Sequence, residues 1–191
     1  MVDKIMDVSP EDADVQAKVE QWLSDVVVGL NLCPFARKPQ RAGLVRYSLS
    51  RATSEKELLA ELLAELEYLD NTHAEQLETT LLIIPNFLQD FVDYNQFLDL
   101  ADWLLERHDY EGVYQLATFH PNYQFAGTRP DDAENLTNRA PYPILHLIRE
   151  DSIERVLENY PEPESIPDKN IACVKSLTPG QLKKLFPYLF A

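Results

Sequence analysis

One stretch, residues 119–150, gathers side chains that could carry out chemistry. It reads FHPNYQFAGTRPDDAENLTNRAPYPILHLIRE, with two histidines, three arginines and three asparagines among several acids, and it ends in an apolar run. Imidazoles and carboxylates supply acid/base catalysis or ligands for a divalent metal, and arginines bind anions in a forked geometry. The stretch therefore predicts an active site, or else a polar network that fixes a loop against the fold.

Two histidines are the candidate catalytic groups. His120 lies at a predicted strand end, where Pro121 makes the chain turn away and displays the imidazole at the sheet edge. His146 lies inside the next predicted strand and needs a hydrogen-bonding partner there. If the two strands are neighbours, His120 and His146 form an acid/base pair or bind a divalent metal, oriented by Asp131 or Asp132. The alternative is that both histidines are structural: His120 caps the end of the sheet with a hydrogen bond, and His146 is a core residue whose hydrogen bonds are made within the fold.

Six further residues are predicted to bind a ligand. They are Arg139, Arg149, Asn135, Asn138, Tyr123 and Cys33. The two arginines would clamp an anion, and the amides and phenol would orient it. The alternative is that the polar residues satisfy the backbone groups of their own loop, and that Arg149 is a solvated residue at the start of a helix.

Cys33 supports a third hypothesis, a thiol protein. The string CPF resembles the Cys-Pro start of a redox motif, but Cys33 follows a helix and its pair position is Ala36. Redox cysteines have low pKa values at helix amino termini, so burial as a small apolar residue is the favoured interpretation.

Strand-like and helix-like segments alternate along the chain and would position these residues. A stripe from Ser9 to Leu30 predicts a first helix with Pro10 at its first turn, and Ser54 and Asp93 begin two more. Thr178 with Gln181 predicts a capping box on a last helix. The predicted strands are LVRYSLS, TTLLIIP, GVYQLATFH, PILHLI and, as an edge strand, IACVKSL, with DSIERVLENY as a short helix after the fourth.

This order predicts one α/β domain over residues 1–191. Helices between strands favour a mostly parallel sheet of four to five strands, with amphipathic helices packed on its faces. Residues 121–143 form an ordered polar insert between strands, and residues 161–170 a proline-rich surface connection. The first three strands would end at one rim, at Arg51, Asn86 and His120.

Composition narrows the class of protein. The net charge of −15 and pI of about 4.6 argue against nucleic acid and membrane partners, although a locally basic pocket can still bind a small anion. Two distant cysteines and the acidic start MVDKIMDVSPEDAD indicate a cytoplasmic protein. No dinucleotide turn occurs among the five glycines and no zinc-finger spacing is present, so the cofactor is open, with a divalent metal as an option. The oligomeric state is also open.

Three strings carry a family resemblance. They are GLNLCPFA, FHPNYQFAG and NLTNRAPYPILHLIRE. With them the chain resembles the bacterial domain-of-unknown-function 1415 family over nearly its whole length. The resemblance implies no particular activity, substrate, cofactor or catalytic residue. The strings contain most of the residues selected above on physical grounds.

These observations lead to one main hypothesis and two rivals. The main one is an enzyme of hydrolysis or group transfer that acts on a small anionic metabolite through a His/Arg/Asp pocket. The second is a binding or scaffold protein whose polar insert is a structural network. The third is the thiol protein that uses Cys33.

Overall fold

A computed structural model describes residues 9–158 and 160–190 of the chain. Within them, four strands form one sheet: β1 Val45–Leu49, β2 Thr79–Ile83, β3 Tyr114–Phe119 and β4 Ile144–Arg149. The helices are α1 Pro10–Trp22, α2 Arg37–Ala42, α3 Glu55–Asp70, α4 Phe91–Arg107, α5 Glu150–Leu157, α6 Ile166–Lys175 and α7 Pro179–Leu185. A π-helical turn, Leu23–Val28, extends α1, and short 3-10 segments occupy Ala133–Asn138, Pro163–Ser165 and Pro187–Leu189.

The strand order is β1-β2-β4-β3, so the last strand in sequence lies inside the sheet. β1 and β2 are parallel and are joined by α3, whereas β4 is antiparallel to both of its neighbours. The prediction of an α/β fold is confirmed, but the prediction of a mostly parallel sheet is wrong. A helical crossover makes the two strands that it connects run in the same direction. The insert between β3 and β4 is not such a crossover, so β4 runs in the opposite direction to the other strands.

Apolar layers lie on both faces of the sheet. One layer packs α3 and α4 on β2 and β4 through Leu62, Leu66, Phe97, Leu82 and Leu145. The other packs α1, the π-helical turn, the insert, α6 and the carboxyl-terminal segment on the opposite face, through Val19, Trp22, Leu81, Ile144 and Phe186. No helix in the described part of the chain is both long and apolar enough to cross a membrane.

Helix starts follow the predicted caps with one exception. The side chain of Ser9 accepts from the Asp12 N–H, and Thr178 forms the predicted capping box with Gln181. α4 begins earlier than predicted, because the carboxylate of Asp90 accepts from the N–H groups of Val92 and Asp93 and so caps the helix. Asp93 therefore lies in the first turn of α4.

The carboxyl-terminal third departs most from the prediction. The string IACVKSL is not an edge strand: its residues up to Lys175 belong to α6, because a short apolar run is compatible with either period. Within residues 161–170 the chain forms a 3-10 turn, and α6 begins at Ile166. The string ARKPQRAG, which precedes β1, contains α2, and this helix ends at Gly43 in the left-handed conformation. Residues 1–8 of the acidic start and residue 159 of the predicted helix DSIERVLENY lie outside the described part.

Candidate functional site

The first three strands end at one rim of the sheet, as the sequence suggested. Ile144 of β4 pairs with the last residues of both β2 and β3, Ile83 and Phe119, and Ile83 also pairs with Leu49, the last residue of β1. The side chains beyond these ends do not form one pocket, however. Arg51 forms an ion pair with Asp12 of α1 in the described structure, and His120 turns inward.

His120 is a buried, fully hydrogen-bonded imidazole. Its Nδ1 accepts from the Asn122 N–H at 3.0 Å, so Nε2 carries the proton and donates to the Leu88 carbonyl at 3.1 Å. The ring packs 5.1 Å from the ring of Tyr94 and 5.4 Å from that of Phe91. Burial lowers the pKa of His120, which keeps the imidazole neutral. These contacts hold the loop between β2 and α4 against the end of β3.

His146 lies on the other face of the sheet. Successive side chains of β4 point to opposite faces of the sheet. Leu145 packs in the layer that contains α4, whereas Ile144 packs in the layer that contains α1, and His146 points to the same face as Ile144. Its Nε2 lies 2.6 Å from the Thr79 hydroxyl, and that hydroxyl donates to the Leu147 carbonyl. Nε2–H of His146 is therefore the donor. The expectation that His120 and His146 meet is wrong, because the period of two turns their rings to opposite sides.

The insert between β3 and β4 is organised around Asn135, which is completely buried. Its Oδ1 accepts from the Phe125 N–H at 3.0 Å and from the Thr128 hydroxyl at 2.9 Å. Its Nδ2 donates to the Arg129 carbonyl at 2.7 Å. One side chain thus satisfies three groups of the insert that surrounds it. This is the arrangement of a structural network.

Asn138 attaches the insert to the sheet. Its Nδ2 donates to the Thr118 carbonyl at 3.0 Å, and its own carbonyl accepts from the His120 N–H at 3.2 Å. The hydroxyl of Tyr123 lies 3.4 Å from that of Thr118. Asn138 therefore covers the last part of the outer side of β3.

Arg139 binds backbone carbonyls. Its Nε donates to the Tyr123 carbonyl at 3.3 Å and its Nη2 to the Pro130 carbonyl at 2.6 Å. No described carboxylate pairs with this guanidinium, and burial lowers its pKa. The side chain predicted to clamp an anion is instead engaged with two carbonyls of the insert.

Asp131 and Asp132 lie at the outer end of the insert. Asp132 accepts from the Arg129 N–H at 2.8 Å and contacts its guanidinium at 3.2 Å; these contacts, the backbone one first, lower the pKa of Asp132. Asp131 is exposed and lies 3.8 Å from the Arg129 Nε. Neither carboxylate contacts a histidine in the described structure, so the predicted orienting pair is not assembled.

Arg149 ends β4 at the opposite end of the sheet from His120. Its Nη2 donates to the carbonyls of Leu69 and Thr72, both at 2.6 Å, and its Nη1 donates to the Tyr114 hydroxyl at 3.2 Å. It caps the end of α3. The length of β4, about 17 Å at 3.4 Å per residue, separates it from the rim. Arg139 and Arg149 therefore do not share a site.

Cys33 does not have the environment of a reactive thiol. Burial raises the pKa of Cys33, and this outweighs the nearby backbone N–H groups of Phe35 and Ala36. A nucleophilic or redox cysteine requires the opposite shift. In the described residues no group of three or more His, Cys, Asp or Glu side chains is placed to hold a metal ion.

A concave site lies elsewhere, between α1 and the carboxyl-terminal segment. This cleft, called the α1 cleft below, has a volume of about 320 Å³, at the lower end of the range for small-molecule sites, about 300–1,000 Å³. Its lining consists of Lys18, Gln21, Trp22, Asp25, Pro141, Tyr142, Lys184, Leu185, Pro187 and Tyr188. Three separate parts of the chain meet there.

The aromatic walls of the α1 cleft are fixed by one carbonyl. The indole N–H of Trp22 donates to the Arg139 carbonyl at 2.9 Å, and the Tyr188 hydroxyl donates to the same oxygen at 3.0 Å. Because both polar ends are engaged, the two rings offer mainly apolar surface to the cleft. Arg139 therefore matters to the cleft through its main chain.

Cations lie on the lining of the α1 cleft. Lys18 is paired with Asp14 at 2.6 Å, and this contact together with Tyr142 raises the pKa of Lys18. Lys184 makes no ion pair with a described residue. Asp25 is also part of the lining and can accept a hydrogen bond. Asp14 offsets Lys18, so Lys184 is the lysine of this lining that has no ion-pair partner among the described residues.

Sequence reasoning missed the α1 cleft. Its lining residues, Lys18, Trp22, Lys184 and Tyr188 among them, include none of the candidates that the sequence indicates. Their sequence separation hides the site, because no local spacing connects residues near 20, 140 and 185. The nearest signal was the run of aromatic and proline residues at the end of the insert.

Comparison with known proteins matches the chain to a protein family. The model of a family described as "Protein of unknown function (DUF1415)" matches residues 14–184, most of the chain. No curated protein and no solved structure matches.

Proposed function

The chain belongs to the DUF1415 family, as its three strings indicated, and we propose that it binds a small organic anion in the α1 cleft. The aromatic and proline walls accept a planar apolar body, and Lys184 with Lys18 accepts a carboxylate or similar group at the rim. The observation that supports this most is the combination of a 320 Å³ cavity with two lysines on an otherwise strongly acidic protein.

The contacts of the polar insert favour a structural network over an active site. Hydrolysis or group transfer at the sheet rim would need His120 to reach a substrate, yet both of its ring nitrogens bind main-chain groups. Asn135 and Arg139 are likewise engaged with backbone groups. These contacts thus support the hypothesis of a binding protein, in which the insert holds Pro141 and Tyr142 in the lining of the cleft.

Fluorescence titration of a Trp103→Phe protein tests the proposal. This variant leaves Trp22 as the only tryptophan, so its emission reports on the α1 cleft alone. The probes are 3-phenylpropionate and its uncharged amide, which share one shape. We expect the carboxylate to change Trp22 emission saturably and to bind more tightly than the amide, because only the carboxylate can pair with a lysine.

A matched lysine pair provides the control. Lys183 and Lys184 are adjacent and exposed, but only Lys184 lines the cleft. Lys184→Gln should weaken carboxylate binding up to about fivefold, as for an exposed ion pair worth up to about 1 kcal/mol, and Lys183→Gln should not. Equal effects of the two substitutions, or emission that never responds to either probe, would contradict the proposal.

A further inference from the structure

β3 is an edge strand whose outer side is only partly covered. It pairs with β4 alone. The Glu150 N–H donates to the Val113 carbonyl. In an antiparallel pair every second residue bonds to the neighbouring strand, so it is the odd-numbered residues of β3 that bond to β4. The even-numbered residues Tyr114, Leu116 and Thr118 therefore turn their backbone N–H and C=O groups outward.

The middle of this edge is open. At one end of β3 the Tyr114 N–H donates to the Tyr110 carbonyl, and at the other end the side-chain amide of Asn138 donates to the Thr118 carbonyl. Within residues 9–158 and 160–190, no hydrogen bond is made by the N–H or C=O of Leu116, the C=O of Tyr114 or the N–H of Thr118. Four main-chain groups are thus free to bind an added strand.

A groove runs beside these free groups, between β3 and α4. Its volume is about 550 Å³. Its walls include the side chain of Trp103, which is 54% exposed, together with Tyr114 and Leu116. Exposed tryptophans are frequent energetic centres of protein interfaces. The open edge, the groove and Trp103 together have the form of a surface for β-strand addition.

Charge determines which strand fits. The groove is lined by five carboxylates, from Asp99, Asp102, Glu106, Glu111 and Glu150. None of them forms an ion pair with a described cation. Partial desolvation and the neighbouring Asp99 raise the pKa of Asp102, so this carboxylate lacks a compensating positive charge. A cationic segment would supply it.

We propose that this surface, the acidic β3 edge, binds an extended cationic segment of a partner protein as a fifth strand. The segment bonds to the groups of residues 114–118, a length of about 16 Å or five residues. Alternate side chains of an added strand point to one face, so every second residue is a Lys or Arg that meets the carboxylates and Trp103. A second copy of this chain is a poor occupant, because it would bring its own acidic groove against this one.

A labelled peptide tests the proposal on the full chain. The probe is Val-Lys-Thr-Lys-Val-Lys-Thr, followed by fluorescence anisotropy, while amide hydrogen exchange is measured by NMR. We expect saturable binding that slows exchange of the Leu116 and Thr118 amides by tenfold or more. Binding without that protection would mean attraction by charge alone and would overturn strand addition. The same peptide N-methylated at alternate residues should bind at least tenfold more weakly.

Protein variants give the second arm. Trp103→Ala and Asp102→Asn alter exposed side chains of the groove, and each should weaken peptide binding about fivefold or more. Asp168→Asn removes an exposed charge from α6, which packs on the opposite face of the sheet, and should leave binding unchanged. Equal weakening by all three would overturn the site. Sedimentation showing a dimer with the Leu116 amide protected in the absence of peptide would overturn the cationic partner in favour of a second copy.

Discussion

Replacing His146 by glutamine should change how stability depends on pH. Burial lowers the pKa of His146 to about 4, from an ordinary value near 6.5. Between these values the unfolded chain binds a proton at this residue and the folded chain does not, so stability rises with pH across the window. Acidification from pH 7 to pH 5 should therefore cost about 2 kcal/mol through His146 alone.

Glutamine isolates this contribution. Its amide nitrogen can donate to the Thr79 hydroxyl as Nε2 of His146 does, but it does not titrate. The free energy of unfolding is measured by urea titration at pH 5, 6 and 7 for the wild type and for His146→Gln. We expect the difference between the two proteins to shift in favour of the variant by about 2 kcal/mol between pH 7 and pH 5.

An exposed histidine is the control. His73 is exposed, and His73→Gln should leave the pH dependence of the wild type almost unchanged. If His146→Gln and the wild type lose stability in parallel from pH 7 to pH 5, then His146 is not kept neutral by burial, and the reasoning fails.

Two more substitutions test the polar insert. Asn135→Ala leaves the buried Phe125 N–H and Arg129 carbonyl without partners, so we expect a loss of about 3 kcal/mol in urea unfolding and faster proteolysis within residues 121–143; unchanged proteolysis would contradict the network. His120→Ala removes the donor to the Leu88 carbonyl, and should lower stability by roughly 1–3 kcal/mol and speed amide exchange in the loop before α4. An unaltered melting temperature together with lost probe binding at the α1 cleft would instead assign His120 to ligand binding.

Local rules predicted much of the fold. Ser9 and Thr178 begin helices because a side-chain oxygen accepts from an N–H group within the same turn, and such contacts depend on only a few neighbouring residues. The four strands were found from their composition. Their order was not, because antiparallel insertion of β4 depends on how the long insert returns, and no short spacing encodes this.

The candidate site was harder to predict than the fold. The sequence identified the polar insert as ordered and left open whether it serves chemistry or architecture. The orientation of His120 depends on the Asn122 N–H and the Leu88 carbonyl, and main-chain groups have no signature in the residue types. The α1 cleft depends on three segments that meet only after the sheet has formed.

The interior position of β4 has a consequence for synthesis on the ribosome. β2 and β3 do not touch each other directly, so the sheet cannot close before residue 149 has left the exit tunnel. Until then a nascent chain exposes an unpaired side of β2, composed of Thr79–Ile83, all of them buried in the finished protein. We expect a translation pause before that point to increase chaperone association, and one after it to have little effect.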